Sequence, residues 1–265
     1  MSNSPLSNRL QQKLAERAAQ GNLRNLKTTS GLTDFCSNDY LGLARSEELR
    51  ALIHKYEDKY KHLPMGATGS RLLSGNNTLF EELEATIAQY HHGEAALLFN
   101  SGYAANVGLL SALPQRGDTI FYDEAIHASI KDGMRLSFAK SYSFKHNNLE
   151  DLRRKLNRAT GTTFVVVESV YSMDGDKAPL VELAQLCHEQ SIALIVDEAH
   201  AVGLYGPKGE GLTVALGLED KVFAQVITYG KAMGSHGAAL VGNKVLRDYI
   251  INISRSFIYT KDIQT

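Results

Sequence analysis

Cysteine, tryptophan and net charge are all scarce in this chain of 265 residues. It has two cysteines and no tryptophan, and its acidic and basic residues leave a formal net charge of -1 at pH 7. A charge so close to zero produces no strong field that would attract nucleic acid or an anionic membrane. No segment is apolar enough to span a bilayer, and the N-terminal stretch MSNSPLSNRLQQKLAERAAQ lacks the apolar core of a signal peptide.

The two cysteines, Cys36 and Cys187, are far apart in the sequence and lack the partners of a zinc ligand set. The histidines form no metal pattern either, because no H-E-x-x-H occurs and the pair His91-His92 falls at a predicted helix end. Such sparse cysteines are typical of a reducing compartment. We therefore expect a cytoplasmic protein that holds no metal and binds neither nucleic acid nor a membrane.

Along most of the chain, short apolar runs alternate with amphipathic helical stretches. The predicted strands are AALLF, TIFY, TFVVVESV, IALIVDEA, AQVITYG and AALVGN. The predicted helices are TLFEELEATIAQYH, AANVGLLSAL, HASIKDGMRLS, NLEDLRRKLNRA and LVELAQLCHEQ. This alternation predicts an α/β fold with a mostly parallel sheet flanked by helices. Ligands of such sheets gather at the carboxyl ends of the strands, so we expect the functional residues directly after strands. We predict an N-terminal arm with a linker helix over residues 1–65 and a large domain over residues 66–265.

Polar residues follow the first two predicted strands. Ser101, Gly102 and Tyr103 come after AALLF and open a helix, whose free amide groups and positive dipole end suit a phosphate. They also fit an ordinary serine cap with a turn glycine. His127 follows TIFY at the start of the next helix, where a histidine can cap the helix or lie at the surface.

The strand IALIVDEAH ends in Asp197, with Glu198 and His200 directly after it. A carboxylate at the edge of a buried sheet is costly unless it has a positively charged partner, and a salt bridge or a helix cap would provide one. The letters DEAH also occur in nucleic-acid helicases. That function requires a phosphate loop of the form G-x-x-x-x-G-K-[ST], which this sequence lacks.

One lysine, Lys231, follows the strand AQVITYG directly. A lysine in such a loop usually keeps its charged end in water. Pyridoxal phosphate (PLP) offers a different explanation, because this cofactor needs a lysine to hold it covalently, a carboxylate at its pyridine nitrogen, a phosphate cradle and a flat group over its ring. Lys231, Asp197, the pair Ser101-Gly102 and His127 supply one each, so the sequence predicts a PLP site.

Seven ordered stretches between Asp34 and Thr260 resemble the motifs of the α-oxoamine synthases, a family of fold-type-I PLP enzymes. They are CSNDYLGL, GATGSRLLSGNNTLFEELE, LLFNSGYAANVGLL, DEAIHASIKDG, ESVYSMDGDKAPL, DEAHAVGLYGPKGEG and TYGKAMGSHGAAL. The resemblance implies a fold-type-I large domain. It also implies these roles: Lys231 bound covalently to PLP, Asp197 at its pyridine nitrogen, His127 stacked on its ring, Ser172 and His200 near its phenolic oxygen, Gly102, Tyr103 and Thr228 around its ring and phosphate, and Asn38 and Arg24 at the substrates.

Family members are homodimers that condense an amino acid with an acyl thioester. The stretch GSRLLSGNNTLFEELE favours the biotin-pathway branch, which joins L-alanine to a pimeloyl thioester with loss of CoA and carbon dioxide. Phe80 departs from the family, which usually has histidine there. Glycine C-acetyltransferase, another α-oxoamine synthase and a PLP-binding fragment without turnover remain alternatives.

In the family, a smaller C-terminal domain follows the large domain and brings an arginine to the amino-acid carboxylate. This sequence ends at Thr265, before any such domain. A carboxylate that lacks a bidentate guanidinium loses a charge-assisted pair. We therefore expect the chain to keep the cofactor scaffold, to associate through bare apolar surface and to turn over poorly.

Overall fold

The structure is a computed structural model that describes residues 4–28, 31–64 and 66–260. Its contacts divide the chain into two units, Met1–Cys36 and Ser37–Thr265. The first unit contains helix α1, Pro5–Ala19, which Ser4 caps by accepting a hydrogen bond from the amide of Ser7. The predicted boundary between residues 65 and 66 stays a prediction, and residues 261–265 of the predicted large domain lie outside the described residues.

The second unit alternates helices with strands. Its helices are α2 Glu47–Tyr60, α3 Thr78–Tyr90, α4 Gly102–Ala112, α5 Ala128–Leu136, α6 Leu149–Lys155, α7 Leu180–Glu189, α8 Leu212–Ala215, α9 Lys244–Ile253 and α10 Arg255–Ile258. Its strands are β1 Ala95–Phe99, β2 Thr119–Asp123, β3 Lys140–Phe144, β4 Thr163–Glu168, β5 Ala193–Asp197, β6 Ala224–Thr228 and β7 Ala238–Gly242. No helix in the described part of the chain is both long enough and apolar enough to cross a membrane.

The strands form one seven-stranded sheet in the order β1-β7-β6-β5-β4-β2-β3. Only the two pairings of β7, with β1 and with β6, are antiparallel among the described strands. The predicted fold class, a mostly parallel α/β sheet flanked by helices, is therefore confirmed. Parallel pairing brings the carboxyl ends of β2, β4, β5 and β6 to one edge, and the register sets Glu168 of β4 opposite Asp197 of β5.

Helices begin where a polar side chain satisfies the free amide groups of the first turn. These caps are Ser46 for α2, Asn77 for α3, Ser101 for α4, His127 for α5, Asn148 for α6 and Asn243 for α9. Two of them, Ser101 and His127, lie shortly after the ends of β1 and β2. The chain therefore turns from strand to helix at the sheet edge where ligands are expected.

The core is built from strands that are apolar on both faces, as in β4 and β5. Helix α4 packs against α5, β6 and β7, and its residues Ala105, Leu109 and Leu110 are fully buried. A helix with apolar residues on most sides is the kind that lies inside a large domain. The start of α4 is therefore held rigidly against the sheet.

Strand β3 is the element that the sequence pattern does not predict. Its sequence KSYSF is polar, and it pairs only with β2 at the edge of the sheet. An edge strand that faces water on one side does not need a continuous apolar run. A polar edge strand such as β3 therefore lacks the apolar run that marks the other strands in the sequence.

Candidate active site

A cavity of about 130 Å³ lies at the edge of the sheet where the parallel strands end. Its lining consists of Gly102, Tyr103, Asn106, His127, Ser129, Glu168, Asp197, Ala199, His200, Thr228 and Lys231. The lining residues come from the last positions of β4, β5 and β6 and from the segments that follow β1, β2, β5 and β6. The expectation that polar residues after separate strands meet at one place is thus met in the structure.

Lys231 projects into this cavity and contacts His200. The distance from Lys231 Nζ to His200 Nε2 is 2.6 Å. Burial lowers the pKa of Lys231, although the nearby carboxylates Asp197 and Glu168 oppose this effect. Burial, together with the charges of Lys231 and His127, lowers the pKa of His200 to about 4. Lys231 is therefore not a solvated surface lysine. Its amine lies in a buried site that lowers its pKa and so favours the neutral form relative to water.

Asp197 is 5% exposed and accepts two hydrogen bonds. The amide of Ala199 donates to Oδ1 over 2.9 Å, and Asn106 Nδ2 donates to Oδ2 over 2.7 Å. Asn106 also donates to Ser129 Oγ over 3.1 Å. These bonds hold the carboxylate in one orientation at the cavity wall.

Glu168 places a second carboxyl group beside Asp197. Burial raises the pKa of Glu168 to about 7, and the charge of Asp197 adds to the effect. The amide of His127 donates to Glu168 Oε1 over 2.5 Å. The two carboxyl groups lie in adjacent strands but have different surroundings. The Glu168 carboxyl group is therefore only partly ionised near neutral pH.

His127 caps α5 and also lines the cavity. Its Nδ1 lies 2.7 Å from Ser129 Oγ and accepts from the amide of Ser129 over 3.2 Å. The capping interpretation of this histidine and the cofactor interpretation are thus compatible, because the bonds to Ser129 fix the ring in place while one side of it borders the cavity.

The start of α4 provides a small, positively polarised wall. Ser101 accepts hydrogen bonds from the amides of Ala104 and Ala105, so the amides of Gly102 and Tyr103 are those left for an anion. A Cβ atom on Gly102 would lie 3.5 Å from Thr228 Cβ and would fill the space between them. Tyr103 turns its hydroxyl outward and donates to Asp132 Oδ2 over 2.5 Å.

The cavity residues fit PLP. They combine an amine that favours its neutral form, a fixed carboxylate, an imidazole ring and a helix start whose glycine leaves room for a phosphate. Seven residues predicted from the sequence line it: Gly102, Tyr103, His127, Asp197, His200, Thr228 and Lys231. Ser101 is adjacent as the cap of α4.

The structure separates three predicted residues from the lining. Ser172 is exposed in the loop after β4, and its backbone amide faces the Glu168 carboxylate. Asn38 lies next to Tyr40, which contacts His200. Arg24 belongs to the first unit. The roles of these three residues stay predictions.

Sequence reasoning missed four polar residues of the site: Tyr40, Asn106, Ser129 and Glu168. Glu168 ends an apolar strand in the same way as Asp197, so the same argument applies to it. Asn106 is a polar residue inside the otherwise apolar helix α4, which is a signal for a buried polar contact. Tyr40 and Ser129 have no such signal.

His146 links two loops that carry site residues. Its Nδ1 lies 2.9 Å from Asp123 Oδ1, and its Nε2 lies 2.8 Å from Asp176 Oδ2. Asp123 begins the loop to His127, and Asp176 belongs to the loop of Ser172. His146, Asp174 and Asp176 also place three potential metal-ligand atoms within 4.8 Å of one another. Both nitrogens of His146 already face carboxylates, so we interpret the group as an ion-pair network.

We expect His146 to make stability depend on pH. Its partial burial lowers the pKa, but the hydrogen bonds to Asp123 and Asp176 outweigh this and leave the pKa above its ordinary value. A raised pKa in the folded state means that the contribution is complete below about pH 6.5 and is lost as the pH rises through the folded pKa. His146→Gln should therefore destabilise by roughly 1–3 kcal/mol below about pH 6.5 and by less at higher pH.

Urea unfolding of both proteins at several pH values measures this difference. His188→Gln is the matched control, because His188 is exposed at the end of α7. A destabilisation by His146→Gln that grows as the pH rises would contradict the ion-pair interpretation.

Comparison with known proteins identifies the family. Residues 30–265 match the family described as "Aminotransferase class I and II". The chain belongs to this family. It is 45% identical to the 8-amino-7-oxononanoate synthase of Emericella nidulans, over 87% of this chain and 60% of that protein. The chain thus spans about 60% of the length of this curated relative.

Solved structures of α-oxoamine synthases also resemble this chain. A serine palmitoyltransferase from S. paucimobilis with a bound PLP-myriocin aldimine superposes with a TM-score of 0.85 at 28% identity, over 97% of this chain and 69% of that chain. The 8-amino-7-oxononanoate synthase of Francisella tularensis superposes with a TM-score of 0.74 at 31% identity, over 89% of this chain and 66% of that chain. The predicted resemblance to the α-oxoamine synthases and to the fold-type-I architecture is confirmed.

Proposed function

We propose that this chain is the cofactor-binding part of a PLP-dependent acyltransferase that joins L-alanine to a pimeloyl thioester, with loss of CoA and carbon dioxide. The observation that carries the proposal is the meeting of Lys231, Asp197 and His127 in one cavity at the carboxyl ends of the strands. The name of the relative that is 45% identical supports the choice of substrates and the place in biotin synthesis. A homodimer in the cytoplasm is part of the proposal.

PLP, when bound, supplies an electron sink for the negative charge that develops at the amino-acid Cα. Lys231 would hold the cofactor and would move the α-proton at its Nζ, and burial, which lowers the pKa of its amine, favours the neutral form that these roles need. The Asp197 carboxylate, which Asn106 and the amide of Ala199 hold in place, would face the pyridine nitrogen. His127 would cover the ring, and the amides of Gly102 and Tyr103 would bind the phosphate.

We expect borohydride reduction of the PLP-loaded protein to leave a pyridoxyl mass on the tryptic peptide that contains Lys231. Lys231→Ala should abolish this label, because no other lysine lines the cavity among the described residues. Lys208→Ala is the control, since Lys208 is exposed in the loop before α8 and its loss should leave the label unchanged. Label on a different lysine in the wild-type protein would refute the assignment.

Another α-oxoamine synthase activity is the second candidate, and the structural similarity to a serine palmitoyltransferase favours it. Thioester consumption separates the candidates when three pairs are compared: L-alanine with pimeloyl-CoA, glycine with acetyl-CoA and L-serine with palmitoyl-CoA. The proposal expects the first pair to be preferred. Preference for either other pair would replace the proposed substrates but keep the PLP site.

A further inference from the structure

A chain of hydrogen bonds leads from Lys231 to a segment far away in the sequence. Lys231 Nζ lies 2.6 Å from His200 Nε2, and His200 Nδ1 lies 2.8 Å from the hydroxyl of Tyr40. The Tyr40 hydroxyl lies 3.0 Å from Asn38 Oδ1, to which it donates. This series of hydrogen bonds therefore ends at the side-chain carbonyl oxygen of Asn38, which can only accept hydrogen bonds.

The number of available protons determines which atom donates in each of these hydrogen bonds. The Tyr40 hydroxyl has one proton, and Asn38 Oδ1 receives it. Tyr40 can therefore only accept from His200 Nδ1, which must carry a proton. Neutral imidazole has a single N–H group, so Nε2 is left with a lone pair that faces Lys231. The lowered pKa of His200, about 4, keeps the ring neutral near pH 7.

Tight packing holds the segment of Asn38 and Tyr40 against the loop of Lys231. Gly234 has a positive φ of 62°, and a Cβ atom there would lie 2.3 Å from the backbone nitrogen of Ala44. Leu41 packs near Gly203, three residues after His200, because a Cβ atom on Gly203 would meet Leu41 Cδ1 at 3.6 Å. The hydrogen-bond chain is thus supported by contacts on both sides.

We propose that Tyr40 and Asn38 are positioning residues that hold His200 in the tautomer with its proton on Nδ1. The consequence for Lys231 is geometric. Whenever the Lys231 amine is in its neutral form, donating an N–H group to Nε2 leaves its lone pair free to face the cavity. The opposite tautomer would donate from Nε2 and occupy that lone pair, which is the one needed to attack a carbonyl group. The catalytic meaning of this tautomer rests on the proposed function, but the tautomer itself does not.

Nitrogen NMR of the full chain, labelled with ¹⁵N-histidine and free of cofactor, tests the proposal. Long-range proton-nitrogen correlations identify which ring nitrogen carries the proton, and the signals lost in His200→Gln assign His200. We expect the Nδ1–H tautomer in the wild-type protein. Tyr40→Phe removes the acceptor and should shift the tautomer ratio toward Nε2–H by roughly 2- to 10-fold, the range expected for one neutral hydrogen bond.

Two substitutions at Asn38 test the last hydrogen bond of the series, the one that Asn38 accepts from the Tyr40 hydroxyl. Asn38→Asp keeps an acceptor for the Tyr40 hydroxyl and should retain the Nδ1–H tautomer, whereas Asn38→Ala releases the hydroxyl and should shift the ratio as Tyr40→Phe does. Tyr60→Phe is the control, because the Tyr60 hydroxyl bonds to Glu82. An Nε2–H tautomer in the wild-type protein would overturn the proposal, and so would an unchanged ratio in Tyr40→Phe.

The outcome is separable from that of the proposed function. Borohydride labelling that misses Lys231 would remove the PLP assignment while the tautomer result stands. Conversely, labelling at Lys231 together with an Nε2–H tautomer in the cofactor-free chain would keep the PLP site and reject the role of Tyr40 and Asn38.

Discussion

Asp197→Asn is expected to slow exchange of the α-proton of L-alanine by roughly 10²- to 10⁴-fold while the protein still binds PLP. The substitution keeps the shape of the side chain but removes the negative charge opposite the pyridine nitrogen. Loss of one partner of a buried ion pair costs about 3–5 kcal/mol, which corresponds to that change in rate. Retention of PLP is expected because the start of α4 and Lys231 are unchanged. Proton NMR of L-alanine in D₂O with the PLP-loaded protein measures the exchange.

Glu168→Gln is the matched comparison, because Glu168 is the neighbouring carboxyl group in the same cavity. Its pKa of about 7 means that it is only partly charged near neutral pH, and a glutamine oxygen can still accept from the amide of His127. We expect a loss of less than about 10-fold. Equal losses in the two variants would show that the site needs total negative charge rather than Asp197 in particular.

The site residues that sequence reasoning found share one property: they follow apolar strands. Parallel strands bring their carboxyl ends to one edge, so Ser101, His127, Asp197 and Lys231 could be expected to meet although long segments separate them. The chemistry of PLP then explained why a lysine and an aspartate are needed together. The resemblance to the α-oxoamine synthases added Thr228, a role for His200 and the order of the seven motifs.

Contacts made by side chains across the fold are not visible in a strand pattern. Tyr40 reaches His200 over a separation of 160 positions, and its neighbours are polar and apolar residues without a regular period. Asn106 lies on the buried side of a helix and satisfies Asp197, but the pattern alone does not say which acceptor it meets. A buried polar residue such as Asn106 needs a hydrogen-bond partner. Only the packing of α4 against the sheet shows that this partner is Asp197.

The largest stability effect is expected at Glu84 on α3. Its carboxylate is shared by Arg71 and Arg247, and it also accepts from the amide of Leu98 over 2.9 Å. The side chains of Arg71 and Glu84 are 6% and 4% exposed. Phe80 lies under the Arg71 guanidinium, with its ring centre 4.6 Å away. The network therefore links α3, β1, α9 and the turn of Arg71.

Glu84→Ala removes the buried carboxylate that the two arginines share. We expect a loss of about 3–5 kcal/mol in the free energy of unfolding, measured by urea denaturation. Glu84→Gln keeps an acceptor for the amide of Leu98 and should fall between wild type and Glu84→Ala. Glu82→Ala is the control on the same helix, because Glu82 pairs with Lys59 at the surface, where screening by water leaves little to lose. If Glu84→Ala proved no more destabilising than Glu82→Ala, the network would not be what holds α3 to the sheet.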